Sequence, residues 1–116
     1  METGVNIEEL AKAAGIKTVV GVEALKLAIE QVVLLDRKQQ DYGPHNIGKF
    51  GVPGLLVRIN DKFERLLNLT KQTDAPKNES IEDSFMDMSN YCVIGRLILA
   101  NKWTGGDYAF GNQPTK

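Results

Sequence analysis

Asp83 and Asp87 stand four positions apart in the 116-residue sequence. On an α-helix that spacing is one turn, about 6 Å along the axis. Two carboxylates so placed point to one side and can share a divalent cation. Magnesium takes oxygen ligands and keeps waters and phosphate oxygens in its shell. Glu79 lies one turn earlier and Asn90 continues the same face. Upstream, Arg58, Asp61, Lys62 and Arg65 occupy offsets 0, 3, 4 and 7, which makes one polar stripe on a helix. Its three cations suit phosphate oxygens. The stretch from Arg37 to Lys71 holds seven basic and three acidic residues, whereas Glu79 to Asn90 holds four acids and no base. Magnesium on Asp83 and Asp87, joined by Glu79 or Asp61, would tie the acidic helix to a polyphosphate gripped by the basic one. In that arrangement Asp61, Asp83 and Asp87 are the candidate catalytic carboxylates. Each group also has a plainer role. Acids in a first turn stabilise a helix by themselves, and a mixed-charge stripe forms surface ion pairs worth only about 0.3–0.5 kcal/mol each.

A second group of candidates surrounds a loop. Lys38, Asp41 and Tyr42 end a polar segment, and Gly43 to Gly54 contains four glycines and two prolines with His45 among them. Such density signals tight turns or close approach of backbone to a ligand. His45, the sole histidine, could meet a phosphate or move a proton, although a lone loop histidine more often does neither. Tyr42 and Tyr91 are candidates for stacking on a base, and aromatic packing is the plainer reading. No Gly-Lys-Ser or Gly-Lys-Thr occurs, which excludes a P-loop.

The elements that must position these groups read as helices. Asn6 caps a short helix ending at Gly15, and Ile16 to Gly21 reads as a connector. Apolar residues from Ala24 to Leu35 recur at helical spacing, predicting a second helix over Val22–Tyr42 stopped by Gly43-Pro44. A third helix is predicted over Leu55–Thr70, with Leu56, Ile59, Phe63, Leu66 and Leu67 as its apolar stripe. Lys71–Asn78 reads as a polar linker. A fourth helix follows over Ser80–Trp103, with Ile81, Phe85, Met88 and Cys92 toward the core. Residues 104–116 read as an irregular tail. The expected fold is all-α, a single domain over residues 1–116 forming a compact bundle of about four helices. Ile94, Leu97, Ile98 and Leu99 in one helix suggest apolar surface shared with a second copy, so a homo-oligomer is expected.

Composition bounds the partners. A net charge of −1, from 14 basic and 15 acidic residues, lacks the basic excess of a protein that grips a nucleic-acid backbone. Hydrophobic residues at 42% place the chain among globular proteins. One cysteine, Cys92, rules out an internal disulfide, fits a reducing compartment and reads as a packed core thiol. No apolar run approaches the roughly 20 residues of a membrane span, and the first residues lack a secretory pattern. The cytoplasm is the expected location.

Three segments together resemble a phage and bacterial family, the nucleotide modification associated domain 1 proteins. They are Lys38-Gln39-Gln40-Asp41-Tyr42-Gly43, the run Gly54 to Leu66 with Arg58-Ile59-Asn60-Asp61-Lys62-Phe63-Glu64-Arg65, and the run Glu79 to Tyr91. Their order and separation agree with the family over roughly Leu35–Leu99. The resemblance implies a helical fold and a role in nucleotide metabolism or DNA modification, in the host-cell cytoplasm if the protein is phage-encoded. More distantly, the acidic helices are similar to those of the MazG-like all-α nucleoside triphosphate pyrophosphohydrolases, which hold magnesium with acidic pairs on two adjacent helices. Lys62 and Arg65 intrude where those enzymes place few bases.

Three functions follow as expectations. The first is magnesium-dependent hydrolysis of a nucleotide phosphoanhydride through Asp83 and Asp87. The second is capture of a nucleotide without turnover, with Lys38, Asp41, Tyr42, His45, Arg58, Lys62, Arg65, Asn90 and Tyr91 as the binding set; a host signalling nucleotide is one such ligand. The third is DNA binding, since Ile7 to Ile16 resembles the start of a helix-turn-helix. Lys17-Thr18-Val19-Val20-Gly21 is a poor opening for a recognition helix.

Overall fold

Local capping chemistry sets the helix ends. The computed structural model describes residues 6–43, 45–71, 78–103 and 108–111, with the side chains of residues 42, 45, 46, 78 and 79 outside that description. Five helices are present among these residues, and no strand: α1 (Ile7–Ala13), α2 (Val19–Tyr42), α3 (His45–Gly48), α4 (Gly51–Lys71) and α5 (Asn78–Leu99). The all-α expectation of about four helices is met by α1, α2, α4 and α5, with α3 a single added turn. No described helix is long and apolar enough to cross a membrane.

The chain divides into two compact units, Met1–Arg37 and Lys38–Lys116. In the first, Asn6 Oδ1 accepts a hydrogen bond from the Glu9 N–H at 3.1 Å, satisfying one of the four unpaired donors that open a helix. Gly15 ends α1 with φ +82°. The Ile16 N–H then donates to the Ala11 carbonyl at 2.9 Å, the Schellman closure that a left-handed residue permits. Ala11 is the buried side chain of this helix.

The expected connector over Ile16–Gly21 is shorter than its β-branched composition suggested. Thr18 Oγ1 accepts from the Gly21 N–H at 2.9 Å and caps α2, which therefore begins three residues early, at Val19. A Cβ on Gly21 would come within 2.7 Å of Ile16 Cγ2, so glycine lets the connector lie close along the helix. Gly43, at φ +71°, ends α2 as expected.

The expected loop from Gly43 to Gly54 is largely helical in the second unit. The described part folds as α3 and the first turn of α4. Pro53 sits in that first turn, where a missing N–H costs nothing. A Cβ on Gly48 would fall on the indole of Trp103, so the glycine is needed for α3 to meet the residues after α5.

Helices α4 and α5 form the main packed pair. Leu55 and Leu66 from α4 meet a face of α5 that buries Ser84, Asn90 and Ile94. Ser84 Oγ donates to the Ser80 carbonyl at 2.9 Å, which removes the cost of burying its hydroxyl. Gly95 lies beside Leu55, and a Cβ there would be at ordinary contact distance. These small residues let the two helices approach. The expected inward stripe of α5 is therefore corrected: Phe85 is 58% exposed and Cys92 is exposed rather than a core thiol. Likewise Leu56, Phe63 and Leu67 remain exposed on α4 while Leu55 takes the core position. In the tail, the described residues 108–111 are irregular, as expected, with Phe110 exposed.

Candidate functional site

Helix α4 carries its polar stripe along one side of the packed pair. Arg58 and Lys62 are half-buried, and Asp61 and Arg65 are exposed. Lys62 does not pair with Asp61 on its own helix. Its Nζ reaches across to Asp87 Oδ2 on α5 at 2.9 Å. Lys38, from the last turns of α2, approaches Asp87 Oδ1 at 3.9 Å. Asp87 therefore faces two ammonium groups, with its side chain 22% exposed. The close pair with Lys62 holds α4 to α5, and the longer contact draws in the end of α2.

That ion pair bears on the metal expectation. Asp87 already answers the Lys62 charge, and Asp83, although one turn away, is exposed. No group of three or more His, Cys, Asp or Glu residues among those described could hold a metal ion. Glu79, the third ligand in the magnesium expectation, has its side chain outside the described residues. Asp83 and Asp87 by themselves make no group of three among the described residues.

Two open grooves flank the stripe. The first, of about 400 Å³, is lined by Arg58, Asp61, Lys62, Arg65 and Tyr91. Four of these are the predicted stripe, and Tyr91 comes from α5. The second, of about 490 Å³, is lined by Ile47, Phe50, Pro53, Gly54 and Val57 and shares Arg58 and Asp61 with the first. Phe50 is 72% exposed, and Lys49 Nζ lies 5.7 Å from the centre of its ring, within the range where a cation is attracted to an aromatic face. An apolar groove thus adjoins a cationic one, with Arg58 and Asp61 on the boundary. Neither Arg58 nor Arg65 has an ion-pair partner among the described residues.

Asn90 is buried on α5 and is not among the residues lining the two grooves. Asp41 is exposed and lines neither groove. The side chains of Tyr42 and His45 lie outside the described residues. The structure brings together Arg58, Asp61, Lys62, Arg65 and Tyr91, with Lys38 reaching the same Asp87. Ile47, Phe50 and Pro53 belong to the Gly43–Gly54 segment expected beside a ligand, though nothing in the sequence singles them out, and Val57 lies beyond it. The glycines and prolines of that segment suggest a loop, whereas its described part folds as α3 and the start of α4. At the other end of the chain, the first turn of α2 presents exposed Val19 and Val20 and no base.

Comparison with curated proteins and with solved structures returns no match. The nucleotide modification associated domain 1 model matches residues 38–99, which start where the second unit starts and include the α4 stripe, both grooves and the Lys62–Asp87 pair. Since that match spans more than half of the chain, the protein belongs to the nucleotide modification associated domain 1 family.

Proposed function

We propose that the two adjoining grooves of α4 bind a nucleotide, with the base in the apolar groove and the phosphates in the cationic one. The observation that carries this reading is the shared boundary at Arg58 and Asp61. A ligand that fills both grooves needs a flat apolar end and a polyanionic end, as a nucleoside polyphosphate has. Phe50 offers a ring for stacking, an interaction worth about 1–3 kcal/mol per base. Arg58 and Arg65 offer planar donor forks for phosphate oxygens. Asp61, at the junction, is placed to accept from ribose hydroxyls. The family's association with nucleotide modification agrees with this ligand class.

Binding without turnover is the reading favoured by the ion pair at Asp87, since this α5 carboxylate, one of the two expected to hold magnesium, is held by Lys62. Hydrolysis is the second reading, and Asp61 is the observation in its favour. It is the one carboxylate lining both grooves among the described residues, and it would orient a water against a phosphoanhydride.

One experiment separates the readings. The protein is incubated with a pool of ribonucleoside and deoxyribonucleoside triphosphates, with and without magnesium. Supernatant and denatured-protein extract are then compared by mass spectrometry. Enrichment of an intact nucleotide in the extract, lost in Arg58→Ala and Phe50→Ala, supports capture. A shorter phosphate product in the supernatant supports turnover. Failure of every nucleotide to be retained or changed would sink both.

A further inference from the structure

We propose that the outward stripe of α5 pairs antiparallel with the same stripe of a second copy of this chain. Ile81, Phe85, Met88, Cys92 and Leu99 follow one another at steps of four, three, four and seven residues, with Gly95 between the last two turned toward Leu55 of α4. That is the repeat of a coiled-coil seam. The stripe lies away from the face that buries Ser84 and Ile94 against α4. Phe85 and Leu99 are 58% and 79% exposed, Cys92 is exposed, and Ile81 and Met88 are partly so.

Charge selects a second copy as the occupant and sets its direction. Glu82 and Arg96 flank the seam on the same side, both exposed. Neither has an ion-pair partner among the described residues. In an antiparallel pair centred on residue 90, Ile81 faces Leu99, Phe85 faces Gly95 and Met88 faces Cys92. In the same register Glu82 of each copy lies on the same side as Arg96 of the other and within about 3 Å of it along the axis, so two opposite-charge contacts form by symmetry. A parallel pair would stack the two Phe85 rings on each other and leave Glu82 and Arg96 about 21 Å apart along the axis. The seam is short, so the pairing is expected to be reversible in the micromolar range rather than permanent.

The test is sedimentation equilibrium of the full chain from low to high micromolar concentration, with four variants and one cross-link. Phe85→Glu is expected to abolish the dimer while leaving helical circular dichroism unchanged. Glu82→Lys and Arg96→Glu are each expected to weaken it several-fold, and their combination to restore it. Met88→Cys is expected to form an intermolecular disulfide with Cys92 under mild oxidation. The unaltered chain should not cross-link, because Cys92 and its symmetry mate would be offset by about 6 Å along the axis, which with the lateral gap between the helices puts their Cα atoms beyond the ~7 Å limit of a disulfide. A chain that stays monomeric throughout overturns the proposal. So does a dimer indifferent to Phe85→Glu, a charge-reversed pair that fails to recover, or a disulfide between unaltered chains.

Discussion

Asp87→Asn separates two roles for this carboxylate because they predict effects of opposite sign. In the structure Asp87 receives Lys62 at 2.9 Å and Lys38 at 3.9 Å. Removing its charge leaves both ammonium groups without that partner. The cost in stability is expected to be about 1 kcal/mol, the top of the range for exposed pairs, since Lys62 and Asp87 are both mostly covered. The same change frees Lys62 to face the cationic groove and removes a negative charge from behind it. At a separation of about 7 Å in a water-like dielectric, one unit charge is worth roughly 0.6 kcal/mol, or about threefold in affinity for each phosphate charge. A nucleoside triphosphate should therefore bind Asp87→Asn at least threefold more tightly, while the urea midpoint falls. Isothermal titration with adenosine triphosphate, beside urea denaturation followed by circular dichroism, reads both quantities on one preparation. A fall in affinity of tenfold or more would refute this reasoning, because a carboxylate that holds a cation for the ligand must weaken binding when neutralised.

Three further outcomes follow from the packing and the caps. Leu55→Ala, at the most buried apolar side chain between α4 and α5, is expected to destabilise the second unit by about 2–4 kcal/mol, read as a drop in urea midpoint with an unchanged slope. Gly48→Ala places a methyl group against the Trp103 indole and should cost about 1–3 kcal/mol, visible as a lower thermal midpoint; no shift there would mean that this contact does not form. Thr18→Ala removes the cap of α2 and is expected to cost about 1 kcal/mol, with faster amide exchange confined to the first turn after residue 18.

The parts of this protein that were legible in its sequence are those set by neighbours along the chain. Asn6 three residues before an N–H, Gly15 and Gly43 at helix ends, and the Arg58-Asp61-Lys62-Arg65 stripe all depend on spacing alone. Thr18 was overlooked because the valines after it favour strand or connector on their own, and only the capping bond reveals a helix start. Pro53 counts toward a turn-rich loop in the sequence, although a helix's first turn accommodates proline, so α4 begins at Gly51, four residues before the expected Leu55. On α5 the more hydrophobic of two stripes was assigned inward. Packing chose the other, where Ser84 and Gly95 are small enough for α4 to come close. The Lys62–Asp87 pair joins residues 25 apart in sequence, and helical periodicity contains no signal for such a partnership.

Trp103 is the chain's only tryptophan, and its indole rests on Gly48, the residue next to Ile47 in the wall of the apolar groove. The molecule therefore carries its own optical gauge. A base entering beside Ile47 would press on α3, and α3 has no side chain at position 48 to cushion the ring. If the groove takes a base, emission from this single fluorophore, with no label attached and no second tryptophan to dilute the signal, is expected to change as α3 is pressed.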